Sequence, residues 1–187
     1  FGISSSIYVV GSEQNFHFRQ LFKALELMGF EEAKNCYHLS YAHVKLPEGK
    51  ISSRKGNAFT FRRLTEILSE ELTKHMVKYK DKWSQQEIDA TVYLLAMGAI
   101  KYGMIASDPA KEIVFDVEAW TSFEGFSGPY LMYGFARGKS VLAKAKEKGL
   151  VSDYSRVALL SESLEQELLR SIYDFNSNCL AAAKACK

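Results

Sequence analysis

The chain has 187 residues, 47% of them hydrophobic and 13% aromatic, enough to hide roughly 70% of the surface that an unfolded chain of this size exposes. That excludes intrinsic disorder and leaves room for about one domain or one and a half. Twenty-four Lys and Arg against 22 Asp and Glu leave a net charge of +2, too little for the whole chain to bind polyanions by charge, so any nucleic-acid site is a local patch. Cys36, Cys179 and Cys186 form no C-x-x-C pair and no Cys/His cluster with metal-ligand spacing, which argues against a disulfide scaffold or a structural zinc site and for a reducing cytosol. The longest apolar stretch, residues 91–106, is about 16 residues long and carries Lys101; it falls short of the ~20 that span a bilayer, and no membrane segment is expected. The N-terminal Phe1-Gly-Ile-Ser-Ser-Ser lacks an initiator Met and the charged n-region of a signal peptide, and reads as a cut within a longer chain.

Residues 7–10 form an apolar run rich in β-branched side chains that ends at Gly11 before the polar turn Ser12-Glu-Gln-Asn15, the pattern of a buried strand. Phe18, Leu21, Phe22, Leu25 and Met28 then recur at threes and fours, with Gly29 where a helix C-cap wants positive φ. Strand, turn and helix make half of a βαβ unit. Residues 36–46 alternate more loosely and suit one or two strands near a sheet edge. Between residues 47 and 63 apolar periodicity collapses around Gly49, Gly56 and Asn57, which predicts a basic surface loop. Leu64, Ile67, Leu68, Leu72 and Met76 have helical spacing. Ser84-Gln-Gln-Glu87 is a capping-box pattern, with Trp83 and Ile88 as a candidate staple, and opens a long buried helix to about residue 107. Asp108-Pro109 breaks it, residues 113–115 read as a brief strand, and Ser127-Gly-Pro129 opens a further helix to about residue 148. From residue 155 the pattern is helical to the end, where no cap or breaker follows, a second sign of truncation. The β signal sits in the first third and helices fill the rest, so the expected fold class is α/β followed by all-α.

The segment Gly49-Lys-Ile-Ser-Ser-Arg-Lys-Gly-Asn57 packs three cations, two hydroxyls and two glycines into nine residues, and residues 50–63 hold five Lys or Arg and no acid. Glycine admits close backbone approach, Ser hydroxyls and backbone N–H groups donate to phosphate oxygens, and Lys and Arg meet developing phosphate charge. The composition points to polyphosphate handling, and a solvated basic loop has the same composition. A P-loop is excluded, because Val44 and Ile51 stand where its template needs Gly and Ser or Thr.

The order of residues in this segment resembles the signature loop of class I aminoacyl-tRNA synthetases, Lys-Met-Ser-Lys-Ser followed by Arg or Lys, Gly and Asn. Lys50, Ser52, Lys55, Gly56 and Asn57 match, while Ser53 and Arg54 stand where the second Lys and second Ser belong. That departure resembles the arginyl branch, whose loop often reads Lys-Met-Ser-Thr-Arg-Lys-Gly. Tyr8-Val-Val-Gly-Ser-Glu-Gln-Asn-Phe-His-Phe18 is similar to the branch's Tyr-Val-Val-Asp-x-x-Gln-x-x-His-Phe, with Gly11 in place of the acid. The string Phe-Glu-Gly-x-x-Gly-Pro-Tyr-x-x-Tyr at residues 123–133 resembles the passage into the helical anticodon-binding domain. None of His17, His38, His43 or His75 is followed by x-Gly-His, the family's first signature. The resemblance therefore implies the second half of a Rossmann-like catalytic core over residues 1–123 and the start of a truncated anticodon-binding bundle over 124–187. Alone, such a piece is expected to be inactive.

The resemblance implies that ATP, accompanied by Mg²⁺, activates arginine, which then passes to tRNA(Arg). Lys50 would neutralise the departing pyrophosphate, with Ser52, Arg54 and Lys55 beside it as catalytic candidates. Lys50, Ser52, Lys55, Gly56 and His17 would bind ATP, and Gln14, just past a strand end, would contact arginine. Phe115, Trp120, Phe123, Phe126, Tyr130 and Tyr133 read as interdomain core by spacing; within the resemblance Tyr130, Tyr133 and Arg137 are the tRNA-binding candidates. No carboxylate cluster looks like a dedicated metal site, and a cytoplasmic monomer without a membrane is expected of the full-length protein. Two other classes share parts of the pattern: a different ATP-dependent nucleotidyl transferase, and a non-catalytic RNA-binding helical module. The string at 123–133 argues against the first and the Lys50 loop against the second.

Overall fold

The computed structural model describes residues 4–46, 49–50 and 60–185, with residues 46, 49 and 50 described by backbone alone. They fall into two compact units, Phe1–Met132 and Tyr133–Lys187.

The first unit begins with a parallel strand pair. Strand β1 (Ser6–Gly11) lies beside β2 (Cys36–Tyr41), in register from Ser6↔Cys36 to Gly11↔Tyr41. Helix α1 (Asn15–Leu27) makes the crossover between them, and Gly29 ends it at φ 87°, a conformation that suits residues without a Cβ. Aromatic side chains hold α1 to the pair: Tyr8 lies 5.2 Å from Phe18 and 5.5 Å from Phe22 between ring centroids, and Phe18 stacks on His38 at 4.4 Å. The continuous apolar run of β1 predicts burial on both faces. One face is covered, but Ile7 and Val9 on the other are exposed, because α1 packs against a single side.

A second, three-stranded sheet follows. Its middle strand β3 (Val44–Leu46) pairs antiparallel with β4 (Gly49–Lys50) and parallel with β5 (Ile113–Val114). The first residues of the expected loop are therefore strand.

The helical core of this unit forms between α2 (Phe61–Met76) and α3 (Gln85–Ile105), closed by the short α4 (Val117–Thr121). Leu64, Leu68, Leu72 and Met76 fall on one face of α2 at fourfold spacing and meet Ile88, Val92, Leu95, Ala96, Ala99 and Ile100 of α3, with Phe115 and Trp120 edge to face at 4.9 Å. The expected capping box is present: the Ser84 hydroxyl accepts from the Glu87 N–H at 3.3 Å, and the Glu87 carboxylate accepts from the Ser84 N–H at 2.8 Å. Trp83 stacks on Tyr79 at 4.7 Å. With 21 residues, α3 is longer than the apolar stretch within it and is long and apolar enough to cross a membrane by length and composition. In this fold its apolar face is the centre of the core.

Helix α5 (Gly128–Glu147) starts in this unit. The Ser127 hydroxyl accepts from the Tyr130 N–H at 3.0 Å, which caps the first turn. Gly128 sits so close to α3 that a Cβ on it would collide with the carbonyl of Gly98. The second unit holds the rest of α5, a 3-10 turn at Tyr154–Leu159 and α6 (Ser163–Ala185). Leu164, Leu168, Ile172 and Phe175 are exposed along α6.

Two predictions come from these contacts. Gly128→Ala forces backbone apart rather than a flexible side chain, and should destabilise the first unit by about 3 kcal/mol in denaturant unfolding, at the upper end of ordinary overpacking. Hydrogen bonds from the Ser84 backbone and hydroxyl hold the Glu87 carboxyl below the usual carboxylate range. A depressed folded pKa contributes stability above the unfolded pKa, and that contribution is lost as pH falls through the folded value. Glu87→Gln should therefore flatten the acid limb of the stability curve, measured by thermal unfolding across pH 2 to 6.

Candidate active site

In open α/β sheets ligands collect beyond the carboxyl ends of parallel strands. Here β1 and β2 end together at Gly11 and Tyr41. The chain then turns through a 3-10 segment, Ser12–Gln14, directly into α1. Gln14 stands at the N-cap of α1 but makes no side-chain capping hydrogen bond, and it is exposed. His17, in the first turn of α1, is also exposed, with its ring edge-on to Phe18 at 5.5 Å. The two predicted side chains thus share the carboxyl edge of the strand pair.

Lys50 ends β4, with its Cα opposite that of Lys45 in β3. Strand β3 is held in turn: the Ile113 N–H donates to the His43 carbonyl at 3.1 Å, the Phe115 N–H to the Lys45 carbonyl at 2.8 Å, and the Lys45 ammonium pairs with Glu112 at 2.5 Å. The basic segment that follows returns at Thr60, whose hydroxyl accepts from the Arg63 N–H at 3.2 Å and caps α2. Lys50, near the start of the signature segment, is thus held by sheet pairing, and Thr60, beyond its end, by the cap of α2. Ser52, Arg54, Lys55 and Gly56 lie outside the described residues.

The six aromatics read as core divide. Phe115 and Trp120 are buried, and Phe123 packs against the core and lies 5.3 Å from the His75 ring. Phe126 is 93% exposed, and Tyr130 and Tyr133 are nearly half exposed, so none of the three belongs to the buried core cluster. In α5, Gly128 and Pro129 are buried and Met132 packs against the core, whereas Tyr130 and Leu131 between them are exposed. In the second unit the Arg137 guanidinium lies 5.7 Å over the Tyr133 ring and the Lys139 ammonium 5.9 Å over that of Phe135. Paired cations and exposed rings are surfaces that nucleic acid can use.

Sequence reasoning did not single out two further groups. His38 donates from Nε2 to the Val10 carbonyl at 3.0 Å while stacked on Phe18, fixing β2 against β1. His43 Nε2 meets the Glu13 carboxylate. Glu13 and His43 are far apart in sequence, and the parallel register is what brings them together. Among the described residues no group of three or more His, Cys, Asp or Glu could hold a metal ion. A cleft of about 380 Å³ lined by Asn15, Arg19, Phe22, Cys36, Tyr37 and neighbours lies beside α1, and it includes neither Gln14 nor His17.

A parallel strand pair opening on Gln14 and His17, and a basic Gly/Ser segment tied to the neighbouring sheet, together fit the catalytic architecture of class I tRNA synthetases. Residues 3–117 match the family described as tRNA synthetases class I (R), catalytic domain. A relative named arginine–tRNA ligase from Bdellovibrio bacteriovorus is 41% identical over 99% of this chain, which covers 32% of that protein. One of the same name from Treponema denticola is 41% identical over 90% of the chain and is covered to 29%. Among solved structures, the arginyl-tRNA synthetase of Thermus thermophilus superposes over 97% of the chain with a TM-score of 0.80 at 26% identity, and 29% of it is covered. The chain belongs to the arginyl-tRNA synthetase family, and it spans about a third of the length of the curated relatives it matches.

Proposed function

We propose that the chain is the signature-loop section of an arginyl-tRNA synthetase and takes part in ATP-dependent activation of arginine and its transfer to tRNA(Arg). The observation that carries this reading is the family match across the strand, turn and sheet that present Gln14, His17 and the Lys50 segment. In activation, an arginine carboxylate oxygen attacks the α-phosphorus of ATP and pyrophosphate leaves. Charge grows on the departing phosphates, and a cation held where that charge appears lowers the barrier.

Lys50 takes that role in this reading, with Ser52, Lys55 and Gly56 donating to ATP and Arg54 and Lys55 supplying the charge that Ser53 lacks. The anchoring of the segment at β4 and at Thr60 supports it, since positioning is what this chemistry asks of a protein. Gln14 contacts arginine and His17 the adenosine, each supported by its exposed place at the strand ends. Mg²⁺ arrives with ATP and neutralises phosphate charge. Tyr130, Tyr133 and Arg137 contact tRNA, supported by their exposure and by the cation over the Tyr133 ring. The boundary between catalytic core and tRNA-binding helices falls at residues 123–124, where the family string begins. The working protein is a cytoplasmic monomer with no membrane attachment.

In a full-length synthetase carrying this chain, Lys50→Ala should lower kcat of arginine-dependent exchange of pyrophosphate into ATP by about 10²-fold with arginine KM nearly unchanged. A change confined to arginine KM would remove Lys50 from the phosphates. If Arg54 and Lys55 share one charge, the double Ala variant should lose more than the two single costs added, as expected for coupled neighbours. Single-turnover rates of adenylate formation and of transfer to tRNA decide it, strict additivity with one variant slow in each step being the contrary result.

A further inference from the structure

Where β1 and β2 end, the chain parts in two directions. Residues 12–14 turn into α1 and carry Gln14. Residues 42–43 are handed to the other sheet: the Ala42 N–H donates to the Pro109 carbonyl at 2.8 Å, and the His43 carbonyl accepts from Ile113 immediately before β3. Among the described residues, a side-chain contact crosses this fork from Glu13 Oε1 to His43 Nε2. An ionised carboxylate only accepts, so a hydrogen bond in this contact needs the hydrogen on Nε2. Glu13 precedes Gln14 directly, and His43 precedes the strand whose Lys45 is opposite Lys50.

Gly11 leaves room for this contact. A Cβ built on Gly11 would lie 2.6 Å from Glu13 Oε2, so the carboxylate folds back over the strand end into the space that a side chain at position 11 would fill. The backbone there, at φ −56° and ψ 149°, is open to any residue, and what glycine supplies is room. Both partners are more than half exposed, and an exposed pair adds little to folding. The consequence of the contact is where the turn sits relative to β3.

We infer that Glu13 and His43 are positioning residues that hold the Gln14 turn against the strand leading to Lys50. This rests on the proposed synthetase reading. Neither residue touches a reacting atom, so the effect is read in substrate binding.

The test uses pyrophosphate exchange by the full-length synthetase carrying this chain. Glu13→Ala and His43→Ala should each raise arginine KM by about fivefold to tenfold, with the double variant no worse than either single, the signature of one shared interaction. His43→Gln, which keeps a donor near the same place, should restore KM to within about twofold of the parent, while the melting temperature of every variant stays within about 2 °C. Gly11→Ala should raise KM as Glu13→Ala does and cost nothing further in the Glu13→Ala background. Additive KM costs, unchanged KM values, or a Gly11→Ala penalty that persists without Glu13 would overturn the inference while leaving the synthetase reading intact. Absence of arginine-dependent exchange in the parent enzyme would overturn that reading and this inference with it.

Discussion

The packing of α2 against α3 is the contact on which the rest of the first unit hangs. Leu68 and Leu72 are completely buried between the helices, and a leucine so placed contributes about 1.5–3 kcal/mol relative to exposure. Phe115 and Trp120 close the same core. Phe115 follows directly on β5, so the core fixes that strand by its last neighbour, and β5 fixes β3 through the hydrogen bonds to His43 and Lys45. Strand β4 is the last link. The place of Lys50 is thus set by helices that carry none of the proposed chemistry.

The same logic explains the close approach of Gly128 to Gly98. A residue without a Cβ at position 128 lets α5 start against the middle of α3, where the buried face is made of Ala96, Ala99 and Ile100. Small residues on one helix and a glycine on the other bring backbones together and direct the chain away from the core. Ser127 ends the preceding turn by capping α5 at this point. What leaves the core along α5 is rich in exposed rings and cations, a surface different in kind from the one buried beneath it.

Features written in local periodicity were legible from the sequence. The four apolar positions of α2, the Ser84–Glu87 box, the Gly29 terminus and the Ser127-Gly-Pro start of α5 all depend on residues within one or two turns of each other, and each is found where the pattern puts it. Features that depend on what lies opposite were not legible. The exposure of Ile7 and Val9 reflects cover on one side of β1, which no run of β-branched residues records. Strand β4 is two residues long and owes its existence to β3, so loop composition hid it. Phe126 comes three residues after Phe123, which packs against the core, yet it is 93% exposed. At the candidate site, Gln14 and His17 were readable because strand–turn–helix order alone carries them to the strand ends, whereas Glu13 and His43 needed the β1–β2 register.

That last difference bears on how a signature with a missing residue should be read. A motif lists positions along the chain, but what a site requires is a group of given charge in a given volume. Taken by position, Gly11 is a loss. By volume, the space above Gly11 holds the Glu13 carboxylate. The signature segment poses the same question, with Ser53 in a cation's place and Arg54 and Lys55 next to it. There too, the reach of neighbouring side chains, not the letter at one position, decides whether the charge is absent or has moved.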